Sequence, residues 1–106
     1  MQIQFLFFEG CPSHEKGLER LRKVMTEEGI NADVEVLEMV TDEQAAKWHF
    51  IGSPTILLNG EDIQPPPAEA AAALTCRVYR LEDGRFNPLP SEDMIRTALQ
   101  AHRVSE

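Results

Sequence analysis

A chain of 106 residues with 42% hydrophobic and 26% charged positions has the make-up of one ordinary soluble domain. At this length one sizeable core can form without staples, which excludes a disulfide-dense miniprotein. Ten Lys and Arg against eighteen Asp and Glu give a formal charge of −8, so the average surface repels phosphate backbones and anionic lipid, and neither nucleic acid nor membrane is an expected partner. Apolar stretches such as Phe5–Phe8 and Ile56–Leu58 fall far short of the roughly 20 residues that a membrane helix requires. Met1 leads directly into Gln-Ile-Gln-Phe, with no basic region, long apolar region or cleavage signal, which makes the cytoplasm the expected address. In a reducing compartment Cys11 and Cys76 read as reactive thiols or small buried hydrophobes rather than a permanent bridge.

Residues Ile3 to Phe8 form a short apolar run that suits a strand buried on both faces. After Glu9-Gly10, the positions His14, Leu18, Leu21 and Met25 recur at helical spacing; Pro12 fits the first helical position with Cys11 as N-cap, and Gly29 ends the helix. Asp33 to Met39 alternates in part, as a half-exposed edge strand does, and the intervening helix makes it parallel to the first strand. Thr41-Asp-Glu-Gln44 is a capping box that opens a short helix to about Trp48. Gly52-Ser53-Pro54 breaks that pattern, Thr55 to Leu58 is a third strand, and Asn59-Gly60 is a turn. Prolines 65 to 67 predict an extended elbow, and Ala68 to Leu74 has the composition of one or two helical turns. Cys76 to Leu81 alternates between a Cys76, Val78, Arg80 row and an Arg77, Tyr79, Leu81 row, which predicts the fourth strand. Ser91 caps a final amphipathic helix through Met94, Ile95, Ala98 and Leu99. The order is βαβ followed by ββα, a single α/β domain over residues 1–106 with one four-stranded mixed sheet flanked by helices.

In that order of elements, Gly10-Cys11-Pro12-Ser13-His14 at the first strand-to-helix turn and Ser53-Pro54-Thr55 before the third strand give the chain its resemblance to the thioredoxin-like superfamily. More narrowly it is similar to small bacterial thioredoxin-family proteins that combine a GCP turn with an SPT-like segment and a later CRxY segment. The resemblance implies a minimal thioredoxin-like fold, a nucleophilic thiol at Cys11, and a cis bond at Pro54 facing that cysteine, whose preceding backbone groups would bind an extended thiol or peptide substrate together with Pro12, Ser53 and Thr55. It departs from the family's CxxC pattern, because the turn reads CPSH and lacks the second thiol that resolves a mixed disulfide locally.

A helix N-terminus stabilises a nearby thiolate by roughly 0.3 to 1 kcal/mol, less than one pKa unit at about 1.36 kcal/mol per unit. A second contributor is needed, and His14, one turn on, is the candidate, as a cation beside the thiolate or as a proton donor. The chemistry expected is that of a monothiol oxidoreductase acting on a disulfide, a glutathione mixed disulfide or a peroxide. It would use no bound cofactor, with glutathione as a co-substrate, a small thiol or protein disulfide as partner, and a monomer or weak dimer as the working form. Cys76 is the candidate resolving thiol. The simplest hairpin starts its strand at the sheet end far from Cys11, which argues against a pair, whereas the roughly fifteen residues that precede it exceed the usual loop length and leave room for a fold-back. Arg77 and Arg80 beside Tyr79 could hold a carboxylate, or simply belong to one packed and one solvated row. Trp48 and Phe50 read as core, with a substrate rim as the other use. Cys11, His14 and Cys76 form only a weak soft-metal signal, so no metal site is assigned. The competing reading is a catalytically idle binding module of the same fold for a protein partner or a soft metal ion.

Overall fold

In the computed structural model, which describes residues 1–67 and 69–104, the first apolar run becomes β1 (Ile3–Phe7) at the interior of the sheet. Ile3 and Phe5 are buried on one face and Gln4 and Leu6 on the other, the double coverage that its composition requires. α1 (His14–Glu27) then carries the chain back, so that β2 (Val34–Glu38) lies parallel to β1, from Ile3 beside Val34 to Phe7 beside Glu38. The N-cap of α1 is Ser13, not Cys11; the turn at Pro12-Ser13 comes before the first full helical residue, His14. α2 (Asp42–Trp48) opens with the expected capping box. The Thr41 hydroxyl accepts the Gln44 N–H at 3.1 Å, and the Gln44 side chain accepts the Thr41 N–H at 3.1 Å.

β3 (Thr55–Leu58) runs antiparallel to β1 on its other side, with Ile3 opposite Leu58. Asn59 and Gly60, at φ of 52° and 84°, make a two-residue turn whose left-handed backbone favours these residue types. The chain therefore reverses at once into β4 (Glu61–Asp62), which pairs with β3 and completes the order β2-β1-β3-β4. This corrects the assignment of residues 76–81 to the fourth strand. β5 (Tyr79–Arg80) and β6 (Phe86–Asn87) instead form a separate hairpin. A turn that returns the chain immediately fills the sheet edge before the later alternating segment can reach it.

The alanine-rich stretch has no helix among its described residues, 69 to 74; Ala68 lies outside them. Tertiary contacts override its propensity. The Ala73 N–H bonds to the Phe50 carbonyl at 2.9 Å, while Ala72 and Leu74 pack on a core cluster of Leu6, Met39, Ala45, Phe50 and Leu57. Phe50 is thus core, with Trp48 packed against the same cluster. The opposite face of the sheet holds the other cluster, in which Leu21, Val24 and Met25 of α1 meet Ile95 and Leu99 of α3 (Glu92–Val104) over Ile3, Phe5, Ile56 and Leu58. Ser91 caps α3 as expected, its hydroxyl accepting the Met94 N–H at 3.0 Å.

After Leu74 the chain crosses the loop before β3. The Ser53 N–H bonds to the Thr75 carbonyl at 2.8 Å and the Arg77 N–H to the Ser53 carbonyl at 2.9 Å, a single parallel bridge between Ser53 and Cys76. Gly52 permits this approach. A Cβ there would lie 2.6 Å from Arg77 Cα and 2.7 Å from Arg77 N, closer than atoms can pack. Because both of those atoms are main chain, Gly52→Ala should cost about 3 kcal/mol, the upper end of overpacking penalties. Urea unfolding measures it, and a loss below about 0.5 kcal/mol, the ordinary surface range, would show that the crossing is slack.

Candidate functional site

The strand-to-helix turn and the loop before β3 meet at one end of the sheet. The Cys11 N–H closes the turn on the Phe8 carbonyl at 3.0 Å, and the Cys11 thiol donates to the Ser53 carbonyl at 3.6 Å. Ser53–Pro54 is a cis peptide bond, as the resemblance implied. Pro54 is buried against α1, where a Cβ on Gly17 would come within 3.0 Å of its ring. The two motifs singled out in the sequence therefore touch.

The crossing segment adds the second thiol. Its bridge to Ser53 sets Cys76 beside Cys11, close enough for the two side chains to interact. Of the two placements that the sequence left open, the structure has the fold-back; the far-end placement assumed that Cys76 opens a strand of the main sheet, which it does not. Both cysteines are unbridged. Their exposure is opposite to the roles read from the turn motif: Cys11 has 0% exposure, whereas Cys76 is exposed. Of the two cysteines, Cys76 is the residue open to solvent.

Hydrogen bonding to Cys11 raises the pKa of the Cys76 thiol, loss of water on that side adds to it, and the charge on the neighbouring sulfur acts in the same direction. His14 does not reach for the sulfur in the way expected. Its Nδ1 lies 2.8 Å from the Cys11 carbonyl and its ring stacks on Phe7 with centroids 4.6 Å apart. A carbonyl only accepts, so Nδ1 carries the proton and His14 fastens the backbone of the turn.

The remaining residues expected to contact substrate have other work. Ser53 is buried, with its N–H and carbonyl taken by Thr75 and Arg77, so the chain's own segment occupies the backbone groups that the resemblance reserves for a substrate. Thr55 is buried too; its hydroxyl donates to the Gly52 carbonyl at 2.7 Å and accepts from Arg77 at 3.2 Å. The Pro54 carbonyl accepts the Tyr79 hydroxyl at 2.6 Å. Pro12 is exposed beside the turn. The Ser53 hydroxyl is buried without a hydrogen-bond partner among the described residues.

Arg77 and Tyr79 hold the crossing segment down. The Arg77 guanidinium is buried, pairs with both carboxylate oxygens of Asp62 at 2.6 and 3.1 Å, donates to the Gln64 carbonyl at 2.6 Å, and lies 4.5 Å above the Tyr79 ring. Burial drives the Tyr79 hydroxyl well above its ordinary pKa, opposed by Arg77 and reinforced by Asp62. The carboxylate that Arg77 binds is therefore internal, and Arg80 points to solvent on the other row. An Arg–Asp clamp across a β-turn insertion was missed in the sequence; its one trace there is an arginine in the packed row of an alternating segment.

No group of three or more His, Cys, Asp and Glu suited to a metal ion occurs among the described residues. Among the described residues no helix is long and apolar enough to cross a membrane. Comparison of the chain with protein-family models, with curated proteins and with solved structures found no significant match.

Replacing Cys11 by alanine removes the first cause of the raised Cys76 pKa. In the C11A variant the pH at which Cys76 alkylation by iodoacetamide reaches half its maximal rate should fall toward that of a free thiol, about 8.5. An unchanged midpoint would mean that the two sulfurs do not communicate.

Proposed function

We propose that the chain is a thiol–disulfide redox domain on a thioredoxin-like scaffold, in which Cys76 is the entry thiol and Cys11 the resolving thiol. The observation that carries this reading is the contact between an exposed and a fully buried cysteine at the turn of the cis proline. The mixed sheet order β2-β1-β3-β4, with a parallel pair beside antiparallel ones and both motifs at one end, supports the scaffold. The monothiol cycle expected from CPSH thereby becomes a dithiol cycle whose second sulfur is distant in sequence. The Cys76 thiolate attacks an external disulfide and releases one thiol. The Cys11 thiolate then attacks the Cys76 sulfur, expels the second thiol and leaves a Cys11–Cys76 disulfide. The substrate gains two electrons and the domain loses two. A reducing cytoplasm, with glutathione or another thiol as the regenerating reductant, suits such a cycle, and a monomer suffices for it.

A second reading rests on the burial of Cys11 and the raised Cys76 pKa, neither of which favours a fast nucleophile. In that case the pair is a two-sulfur grip for a soft metal ion, or the domain is a binding module without turnover.

Oxidation with glutathione disulfide followed by non-reducing peptide mapping separates the readings. A Cys11–Cys76 link should form in the wild type, and C11S should trap a glutathione adduct on Cys76. Folded C76S should stay unmodified, because its remaining sulfur is buried. An adduct on Cys11 in folded C76S would reverse the roles, and a failure of the wild type to oxidise would remove the redox reading. Closing the long loop between residues 11 and 76 should also raise stability against urea by about 4 kcal/mol in the oxidised form.

A further inference from the structure

Arg80 takes no part in the thiol pair or in the clamp that holds it. Its main chain is fixed by Gln64, whose side-chain amide donates to the Arg80 carbonyl at 2.9 Å and accepts the Arg80 N–H at 3.1 Å. Its guanidinium makes no hydrogen bond or ion pair among the described residues. The residue borders an open cavity of about 420 Å³ between α3 and residues 80–82, a volume in the range of small-molecule sites.

The walls of that cavity are chiefly apolar. Ile63 and Leu81 line one side and Met94 and Ala98 the other, all four half-buried. On α3, Ile95 and Leu99 belong to the core, so positions 94, 97, 98 and 101, spaced i, i+3, i+4 and i+7, form an adjacent stripe that faces the cavity. The alanines at 98 and 101 leave room that larger side chains would take. Neither cysteine lines the cavity, nor do Ser53 and Pro54, and the site is therefore independent of the redox reading.

Charge decides the kind of ligand. Two carboxylates also border the cavity, and both are engaged. Glu82 accepts the Ser91 hydroxyl at the N-terminus of α3, where the helix dipole favours negative charge, and Asp93 pairs with Arg96 at 2.8 Å. The Arg80 guanidinium is the charged group left without a counterpart, and its planar fork matches a carboxylate. The Thr97 hydroxyl, also without a hydrogen bond among the described residues, adds a donor beside the apolar wall.

We propose that this cavity binds a small apolar monocarboxylate, an aromatic or branched-chain acid, with its apolar body on Ile63, Leu81, Met94 and Ala98 and its carboxylate on Arg80. The Met94 thioether suits the edge of a ring. The net charge of −8 repels anions at long range, so a preference for an acid over the matching amine reports the local pair and not the general field.

The test titrates the reduced full chain, followed by amide NMR shifts, with phenylacetate, phenylacetamide and phenethylamine, which share one ring. The acid should bind about three- to fivefold tighter than the amide, the worth of a solvent-exposed ion pair, with shifts concentrated at residues 63, 80–82 and 94–101. Arg80→Gln should remove that advantage and leave the affinity for the amide unchanged, a result that a merely structural role for Arg80 would not give. Ala101→Leu, at an exposed helix position, should weaken acid and amide alike by filling the cavity. Amine binding as tight as acid binding would show that Glu82 and Asp93 govern the cavity and would overturn the proposal. Shifts centred on the cations of α1, or no saturation by about 5 mM of the acid, would overturn it as well.

Discussion

Main chain packed directly on main chain at Gly52 and Ser53 is the constraint on which the site depends. A side chain at position 52 would collide with the backbone of Arg77, and without that approach the bridge from Ser53 to Cys76 could not form. Everything distinctive about the thiol pair follows from one close crossing. It brings together two cysteines separated by most of the chain, and it fixes which of them faces solvent.

The crossing is held by polar groups in an apolar setting. Arg77 is buried with Asp62, the Gln64 carbonyl and Thr55 around it, and the Tyr79 hydroxyl is bonded to the Pro54 carbonyl. Breaking a buried ion pair by removing one partner costs about 3–5 kcal/mol, largely because a charge is left stranded. Such a clamp tolerates little rearrangement, and Cys76 is consequently a fixed neighbour of Cys11. The site thereby differs from a turn that carries both thiols within one motif. Here the turn between β1 and the first helix contributes the buried sulfur, and the long segment between β4 and the β5–β6 hairpin contributes the exposed one.

The insertion also alters the surroundings of the cis proline. By pairing with Ser53, residues 75–77 use the main-chain groups next to the cis proline. Cys76 and the exposed Val78 then belong to one short segment, with the exposed Phe86 on the strand paired beside it.

Local pattern alone determined most of the scaffold. The apolar run of β1, the Thr41–Gln44 capping box, the Asn59-Gly60 turn and the Ser91 cap each satisfy nearby backbone groups or a nearby face, so their residues declare them without reference to the rest of the chain. The meeting of the Cys11 turn with the Pro54 loop was legible from the resemblance that the two motifs carry. What tertiary structure decided is the fate of residues 61 to 81. There an immediate hairpin took the sheet edge, packing on Leu6 and Phe50 outweighed alanine's helical preference, and a buried arginine bound a carboxylate fifteen positions away. Those outcomes rest on contacts between segments remote in sequence, and periodicity reports only which face of a segment is buried, never what buries it.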